Sequence, residues 1–423
     1  MIEDAAELAR QAQFTGSAPL RAVDINRGTN QNGVRLYNER LVLAIVRRHR
    51  QLPKADIARL TSLSAQTVTA IVNRLEADAL LLRGELWRGR VGQPAVPFAL
   101  NPDGAFSFGF KIGRRSCDLE LVDFTGMVRA RRSHRYAYPA PEQITAFLRE
   151  DLAALTQALP AVLLERIAGL GIAAPFELWN WEAEIGAPHA IMDRWRSFDI
   201  QSEIARLCPW PVILCNDATA ACAAEMFFGD GSRHRDFIYF FVGSFVGGGI
   251  VLNGSLFPGS GGNAGAVGSM PIGAPDGKGG ICNVQLIRRA SLYILERKLI
   301  AAGLDPRAMW TTPSDWPDFG AALDEWIEEA AEGLALAALA ATSIIDFQAV
   351  VVDGAFPTPI RERIAERIAA LLEAMDRQGL SPVKVEQGSI GAGARAIGGA
   401  TLVMLANFAP DREILFKDRV TTA

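Results

Sequence analysis

No run of about 18 uncharged apolar residues, the length a membrane-spanning helix needs, occurs in the 423-residue chain. A membrane-embedded protein is therefore not expected. Cysteine is scarce and scattered, at Cys117, Cys208, Cys215, Cys222 and Cys282, with no Cys-x-x-Cys pair. That pattern argues against a disulfide framework and fits reduced, buried thiols in a cytoplasmic protein. The opening Met1-Ile2-Glu3-Asp4 is acidic with no apolar core behind it, so no secretory leader is expected. What is present is ordinary for a globular chain. Apolar residues make up 49% and charged residues 21%, enough to bury a sizeable core in two or three domains.

The net charge of −4 hides an asymmetry. Residues 34–100 hold eleven Lys/Arg against five Asp/Glu, a local charge of +6, which leaves −10 on the rest. A basic module on an acidic body suits a polyanion-binding head, because phosphate neutralisation supplies most non-specific DNA affinity.

The pattern under that charge is more specific. Residues 1–33 read as a flexible tail. Leu36, Leu41, Ala44 and Ile45 recur at helical spacing and predict a first helix to about His49. Pro53 opens a short second helix with Ala55, Ile57, Ala58 and Leu60 on one face, ending near Thr61. After a tight turn, Ser64 is placed to cap a third helix from Ala65 to about Ala77, with Val68, Ile71, Val72 and Leu75 inward. Its outer face offers Ser64, Gln66, Thr67, Thr69, Asn73 and Arg74, short hydrogen-bonding groups suited to base edges in the major groove. Lys54 is a further candidate DNA contact. Two strands, Leu80 to Trp87 and Ala95 to Leu100, flank the tip Arg88-Gly89-Arg90-Val91-Gly92-Gln93-Pro94. Such a basic hairpin reads as a wing, with Arg88 and Arg90 aimed at a minor groove. The alternative is a three-helix cap whose polar residues merely face solvent.

Behind the head the elements alternate. A three-strand meander (106–112, 117–122, 128–136) leads to a helix around Ile144 to Leu152 and an apolar strand, Ile167 to Ala173. Another strand, Val212 to Leu214, runs into Asn216-Asp217 and a small-residue helix. A second half follows from Phe237, with a long helix around Trp326 to Ile345, a strand Ala349 to Val352 and a final helix over about 393–407. Two α/β lobes with a cleft between them account for this order.

Four segments carry a family resemblance: Gly169-Leu170-Gly171-Ile172-Ala173-Ala174-Pro175, Cys215-Asn216-Asp217-Ala218-Thr219-Ala220-Ala221, Gly247-Gly248-Gly249-Ile250-Val251-Leu252-Asn253-Gly254, and Gly262-Asn263-Ala264-Gly265-Ala266-Val267-Gly268. In this order they resemble the ROK family of repressors, open reading frames and sugar kinases. The resemblance implies an α/β fold in which an N-terminal winged helix-turn-helix precedes a two-lobed, actin-like or hexokinase-type (ribonuclease H-like) domain. The head would span 34–103, the first lobe 104–215 with 393–423 returning to it, and the second lobe 216–392. The junction at 101–105 reads as a hinge.

Departures from the family pattern shape the expected function. Family kinases open the first lobe with Asp-x-Gly-Gly-Thr; here the segment is Lys111-Ile112-Gly113-Arg114-Arg115. The acidic group and the close backbone cradle for phosphate are both lost. Asp217 matches the base that handles the sugar hydroxyl, although it would also serve as a simple helix cap. The zinc histidine position holds Ser269, and the cysteine-rich loop has become 278–285 with Cys282 alone, so no metal is expected. Two carboxylates of the family sugar site are replaced by Ala266 and Ile287. The remaining polar candidates for a ligand are Asn216, Asp217, Asn263, Ser269, Gln285 and His189, with Glu177 beside them and Trp179, Trp181 and Trp195 near the cleft. A rewired sugar, another small ligand and an empty cleft all remain open.

The function implied is a cytoplasmic, nucleoid-associated transcriptional regulator, a repressor of carbohydrate genes, with no catalytic residues and no cofactor. Its partners would be a double-stranded operator, a small sugar-like effector and a second copy of itself, as a dimer or dimer of dimers. Alternatives are an active ROK sugar kinase with an accessory head, and a constitutive DNA-binding protein with a dead pocket.

Overall fold

The computed structural model describes residues 31–87, 95–181, 186–275 and 279–411. The expected tail over 1–30 and the wing tip with Arg88 and Arg90 lie outside them. The head contains α1 (Gln31–His49), β1 (Gln51–Pro53), α2 (Lys54–Thr61), α3 (Ala65–Ala77), β2 (Leu81–Arg83) and β3 (Pro97–Leu100). The helix α1 begins three residues inside the expected tail. The periodicity also missed β1, which pairs antiparallel with β3 and makes a three-stranded sheet in the order β1-β3-β2. Three residues carry too little pattern to reveal a strand whose partner lies more than forty residues away. Beyond β2, Trp87 bridges Ala95 and closes the base of the hairpin.

The body has two five-stranded sheets. The first contains β4 (Phe106–Ile112), β5 (Ser116–Asp123), β6 (Val128–Arg135), β7 (Ile167–Ala174) and β8 (Val212–Asn216), in the order β6-β5-β4-β7-β8, with α4 (Pro141–Gln157) against it. The helix α5 (Asp217–Phe227) then crosses to the second half. There β9 (Phe237–Val242), β10 (Val246–Leu252) and β11 (Ser255–Phe257) precede a separate hairpin of β12 (Pro271–Pro275) and β13 (Ile281–Gln285). Next come α6 (Leu292–Ala301), α7 (Arg307–Thr311), α8 (Ala321–Thr342), β14 (Ala349–Gly354), α9 (Thr358–Ala374), β15 (Lys384–Gln387) and α10 (Ala394–Phe408). The second sheet runs β11-β10-β9-β14-β15, with β14 parallel to both neighbours. In each lobe, parallel strands covered by helices read as near-continuous apolar runs, which is why 237–242 and 349–354 are buried throughout.

The C-terminal helix α10 returns to the first sheet. Small residues allow this: a Cβ on Gly109 would fall 1.9 Å from the Ala396 carbonyl oxygen, and one on Gly171 would fall 1.8 Å from that of Gly399. The same helix packs on α5, where a Cβ on Gly398 would meet the Ala220 carbonyl at 2.0 Å. Thus α5 and α10 run side by side between the lobes. A buried network anchors α5 to the second lobe: Glu225 accepts the N–H of Ser389 at 2.9 Å, while Asp353 holds Tyr239 and Arg361. Among the described residues, no helix is long and apolar enough to cross a membrane.

The expected hinge at 101–105 is a packed joint instead. Asn101 donates its side-chain N–H to the Ala79 carbonyl at 2.7 Å, and Gly104 and Ala105 are buried. One apolar cluster runs from Val42, Ile57, Val72 and Phe98 of the head into Ala105, Phe124, Phe227 and Met404 of the body. The link is fixed because both modules bury apolar surface against it.

Candidate nucleic-acid interface and ligand cleft

The helix α3 stands where a recognition helix is expected. Its inner face, Val68, Ile71, Val72 and Leu75, is buried in the head, so the opposite face looks outward. Each candidate DNA contact among the described residues then has a definite local state. Ser64 is the N-cap, its Oγ accepting the Thr67 N–H at 3.1 Å, and the Ser64 and Thr67 hydroxyls lie 2.8 Å apart. Thr69 is exposed and donates its hydroxyl proton back to the Ala65 carbonyl at 2.8 Å. Lys54 donates to the Asn73 side-chain oxygen at 2.7 Å, which ties α2 to α3. Gln66 is exposed and has no side-chain hydrogen-bond partner among the described residues.

Arg74 is exposed on the same helix and pairs with Glu39 of α1, so its guanidinium also braces two helices. One turn back on α1, Arg35 is exposed and lacks an ion-pair partner among the described residues. A groove of about 430 Å³ separates these helices, lined by Gln31, Arg35 and Asn38 of α1 and Gln66, Thr67 and Arg74 of α3. The apolar spacing starts this helix at Leu36, one residue too late to place Arg35 on it. Arg35→Ala is expected to weaken DNA binding about equally for all sequences and lower the salt slope of log K by about one. Fluorescence anisotropy over a salt series checks this, and an unchanged slope places Arg35 off the DNA.

At the end of β4 and start of β5, residues 111–118 carry their own ion pair. Lys111 is buried, with Nζ 2.8 Å from Asp118 Oδ2 and 2.7 Å from Ser116 Oγ. Burial alone would raise the Asp118 carboxyl, but Lys111 reverses this and holds it down at about 2. The same burial pulls the Lys111 ammonium below its ordinary value, against the attraction of Asp118.

Asn216 and Asp217 sit side by side at the end of β8. The cap role considered for Asp217 belongs to Asn216, whose Oδ1 accepts the N–H groups of Ala218 and Thr219 at 3.0 and 3.2 Å. Asp217 pairs with Arg395 of α10 at 3.1 Å, a partner 178 residues away that no local pattern announces. Ser269 and Gln285 are exposed at the base of the β12–β13 hairpin, where Gln285 lies opposite Pro271. Asn263 and His189 are exposed, on a loop and at the start of a short helix. Trp195 is core: it is buried and donates to the Pro139 carbonyl at 2.8 Å. His234 pairs with Glu386 at 2.8 Å. Among the described residues no cluster of three or more His, Cys, Asp or Glu is placed to hold a metal.

Two helices connect this cleft to the head. Asp217 begins α5, and Phe227 at its far end lies under Arg47 of α1, with 3.3 Å from guanidinium carbon to ring centroid. Arg395 stands near the start of α10, whose later residues Met404, Leu405 and Phe408 join the head cluster. Past its end, the Ala409 carbonyl accepts from Arg40 at 3.2 Å. The Asp217–Arg395 pair thus bolts together the cleft ends of two helices that carry the head.

A helix-turn-helix head with a β-hairpin, fused to a two-lobed α/β body, defines the class. Residues 35–78 match the winged helix-turn-helix DNA-binding family model, and residues 107–286 match the ROK family model. The chain combines a ROK family domain with an N-terminal winged helix-turn-helix domain. The xylose repressor of Bacillus spizizenii is 25% identical over 271 residues, covering 64% of this chain and 69% of the repressor. A ROK family transcriptional regulator, a homologue of the E. coli MLC protein, superposes with a TM-score of 0.61 at 19% identity, covering 89% of this chain and 97% of its own. A ROK family glucokinase from Streptomyces griseus, solved with glucose and AMPPNP, gives 0.54 at 21% identity, covering 70% and 99%.

Proposed function

We propose that this chain is a sequence-specific DNA-binding regulator, a repressor of carbohydrate uptake or metabolism genes, that responds to a small ligand held between its lobes. The observation that carries this reading is the outer face of α3, where exposed Gln66, Thr69 and Asn73 project from a helix packed firmly into the head. Gln and Asn are the side chains that bind adenine edges bidentately. Ser64 and Thr67 shape the helix start, while Lys54 and Arg35 meet phosphate and Arg88 and Arg90 extend the contact into a minor groove. Similarity to the xylose repressors supports repression and a sugar-like effector.

Asn216, Asp217, Asn263, Ser269, Gln285 and His189 are the ligand candidates. A sugar hydroxyl reaching Asp217 competes with Arg395, which loosens the bolt between α5 and α10 and shifts the platform under the head. Coupling then takes the form of different DNA affinities in two states. Two copies of the head reading a pseudo-palindrome require half-sites about one helical turn apart, which makes a homodimer the working unit.

Phosphoryl transfer has no place in this reading, because Lys111 and Asp118 neutralise each other where a phosphate loop would be open. The test is an ATP turnover assay with a panel of hexoses and pentoses. No turnover above background is expected. Stoichiometric or faster phosphorylation of any of these sugars favours the kinase reading.

A further inference from the structure

Two adjacent arginines reach from the first lobe into the second. Arg114 and Arg115 occupy the turn between β4 and β5, yet their partners lie beyond the cleft. Arg114 is buried, and its guanidinium carbon is 3.8 Å from the ring centroid of Phe245, at the β9–β10 turn. Arg115 donates from Nη2 to both oxygens of Glu296 on α6, each at 3.1 Å. Its guanidinium carbon also lies 5.4 Å from the ring of Trp310 on α7, and the Trp310 indole N–H donates to Glu296 Oε1 at 3.1 Å. A third arginine completes the set: Arg135, at the end of β6, donates to the Thr311 carbonyl at 2.9 Å.

The turn that presents these groups is itself held. The Gly113 N–H donates to the Ser116 carbonyl at 2.8 Å, Tyr136 O–H donates to the Gly113 carbonyl at 2.6 Å, and the Tyr136 N–H donates to the Arg115 carbonyl at 3.1 Å. On the far side, Phe245, Leu292 and Leu295 belong to the second-lobe core, so α6 and the β9–β10 turn move with that lobe. Rigid pieces on both sides are joined by guanidinium contacts to aromatic faces and to one carboxylate. Guanidinium suits this task because its flat face stacks on a ring while its edge donates two hydrogen bonds.

We propose that Arg114, Arg115 and Arg135 form a clasp that sets the closure of the two lobes, with Phe245, Glu296 and Trp310 as its receiving side. The clasp rests on the reading that the cleft takes a ligand only for its purpose; its existence does not depend on that reading. A small molecule entering between the lobes works against these contacts, so the clasp sets how far the lobes part for ligand entry.

The experiment uses the full chain without DNA or sugar, so its outcome is separable from that of the proposed function. Amide hydrogen exchange is followed at residues 111–116 and 292–311, alongside small-angle X-ray scattering, in the parent, Glu296→Gln, Arg115→Glu and the swap Arg115→Glu with Glu296→Arg. Arg115→Glu is expected to speed exchange about tenfold in both segments together, as a local opening made easier. It is also expected to raise the radius of gyration. Glu296→Gln, which keeps an acceptor for Trp310, shifts both readouts in the same direction by less. The swap restores both towards the parent. Unchanged exchange in the segment opposite the substitution overturns the clasp, as does a swap no closer to the parent than Arg115→Glu. If Arg115→Glu fails to fold, Glu296→Gln and Arg114→Leu are decisive in the same two readouts.

Discussion

Gly171→Ala is expected to destabilise the body by about 3 kcal/mol or more, at or above the top of the range for overpacked cores. The added methyl group would lie 1.8 Å from the Gly399 carbonyl oxygen and 2.5 Å from its carbon. Those are backbone atoms of α10, which cannot turn aside as a side chain can. The helix must lift from β7, and on the neighbouring strand β4 a Cβ built on Gly109 would fall 1.9 Å from the Ala396 carbonyl oxygen of α10, so no slack exists beside it. Because α10 also reaches the head through Met404 and Phe408, the lift disturbs both modules. Differential scanning calorimetry should show the first transition falling by roughly 10 °C, at about 2–4 °C per kcal/mol for a large domain. Gly261→Ala is the control: no atom lies within 4 Å of its built Cβ, and its melting point should not move. Equal melting points for the two variants contradict the close helix-on-sheet packing.

Gln66→Ala combined with Thr69→Ala is expected to cost about 2–4 kcal/mol of operator affinity, roughly 30- to 1,000-fold, while binding to random DNA stays level. The distinction follows from charge. Neither residue is ionised, so the counterion-release part of binding is untouched, and base-edge hydrogen bonds alone are removed. Both side chains are exposed and outside the head core, so the thermal stability of the head should hold. Arg74→Ala makes the contrast: with its guanidinium tied to Glu39, its loss should lower head stability by a fraction of a kcal/mol before it alters base preference. Anisotropy titrations against operator and scrambled duplexes separate the cases. A parallel loss on both duplexes for the Gln66/Thr69 pair contradicts the base-reading role.

Much of the head was legible because its signals are local. Ile57, Val68, Ile71, Val72 and Leu75 recur at helical spacing, and Ser64 is a cap that any helix start would use. The strands 106–112, 237–242 and 349–354 announce themselves as apolar runs. What escaped detection depends on distant partners. Three-residue β1 exists only because β3 lies beside it. In the β12–β13 hairpin, β13 is exposed along most of its length, with Ile281 83% exposed, so no buried apolar face marks it. The segment 101–105 looked like a hinge from its Asn-Pro-Asp-Gly composition, yet Phe124, Phe227 and Met404 close over it. In the cleft, Asp217 was visible by resemblance, but Arg395, Glu296 and Phe245 were not. An ion pair or a cation over a ring leaves no trace in spacing when its halves lie some 130 to 180 residues apart.

Selection of random duplexes by the purified full-length chain, with sequencing of the retained pool, tests the central claim most directly. The account predicts one enriched motif with two-fold symmetric half-sites about one helical turn apart, and loss of that enrichment in the Gln66→Ala, Thr69→Ala variant. A retained pool indistinguishable from the input, at a salt concentration where the chain is folded and binds DNA, would contradict it.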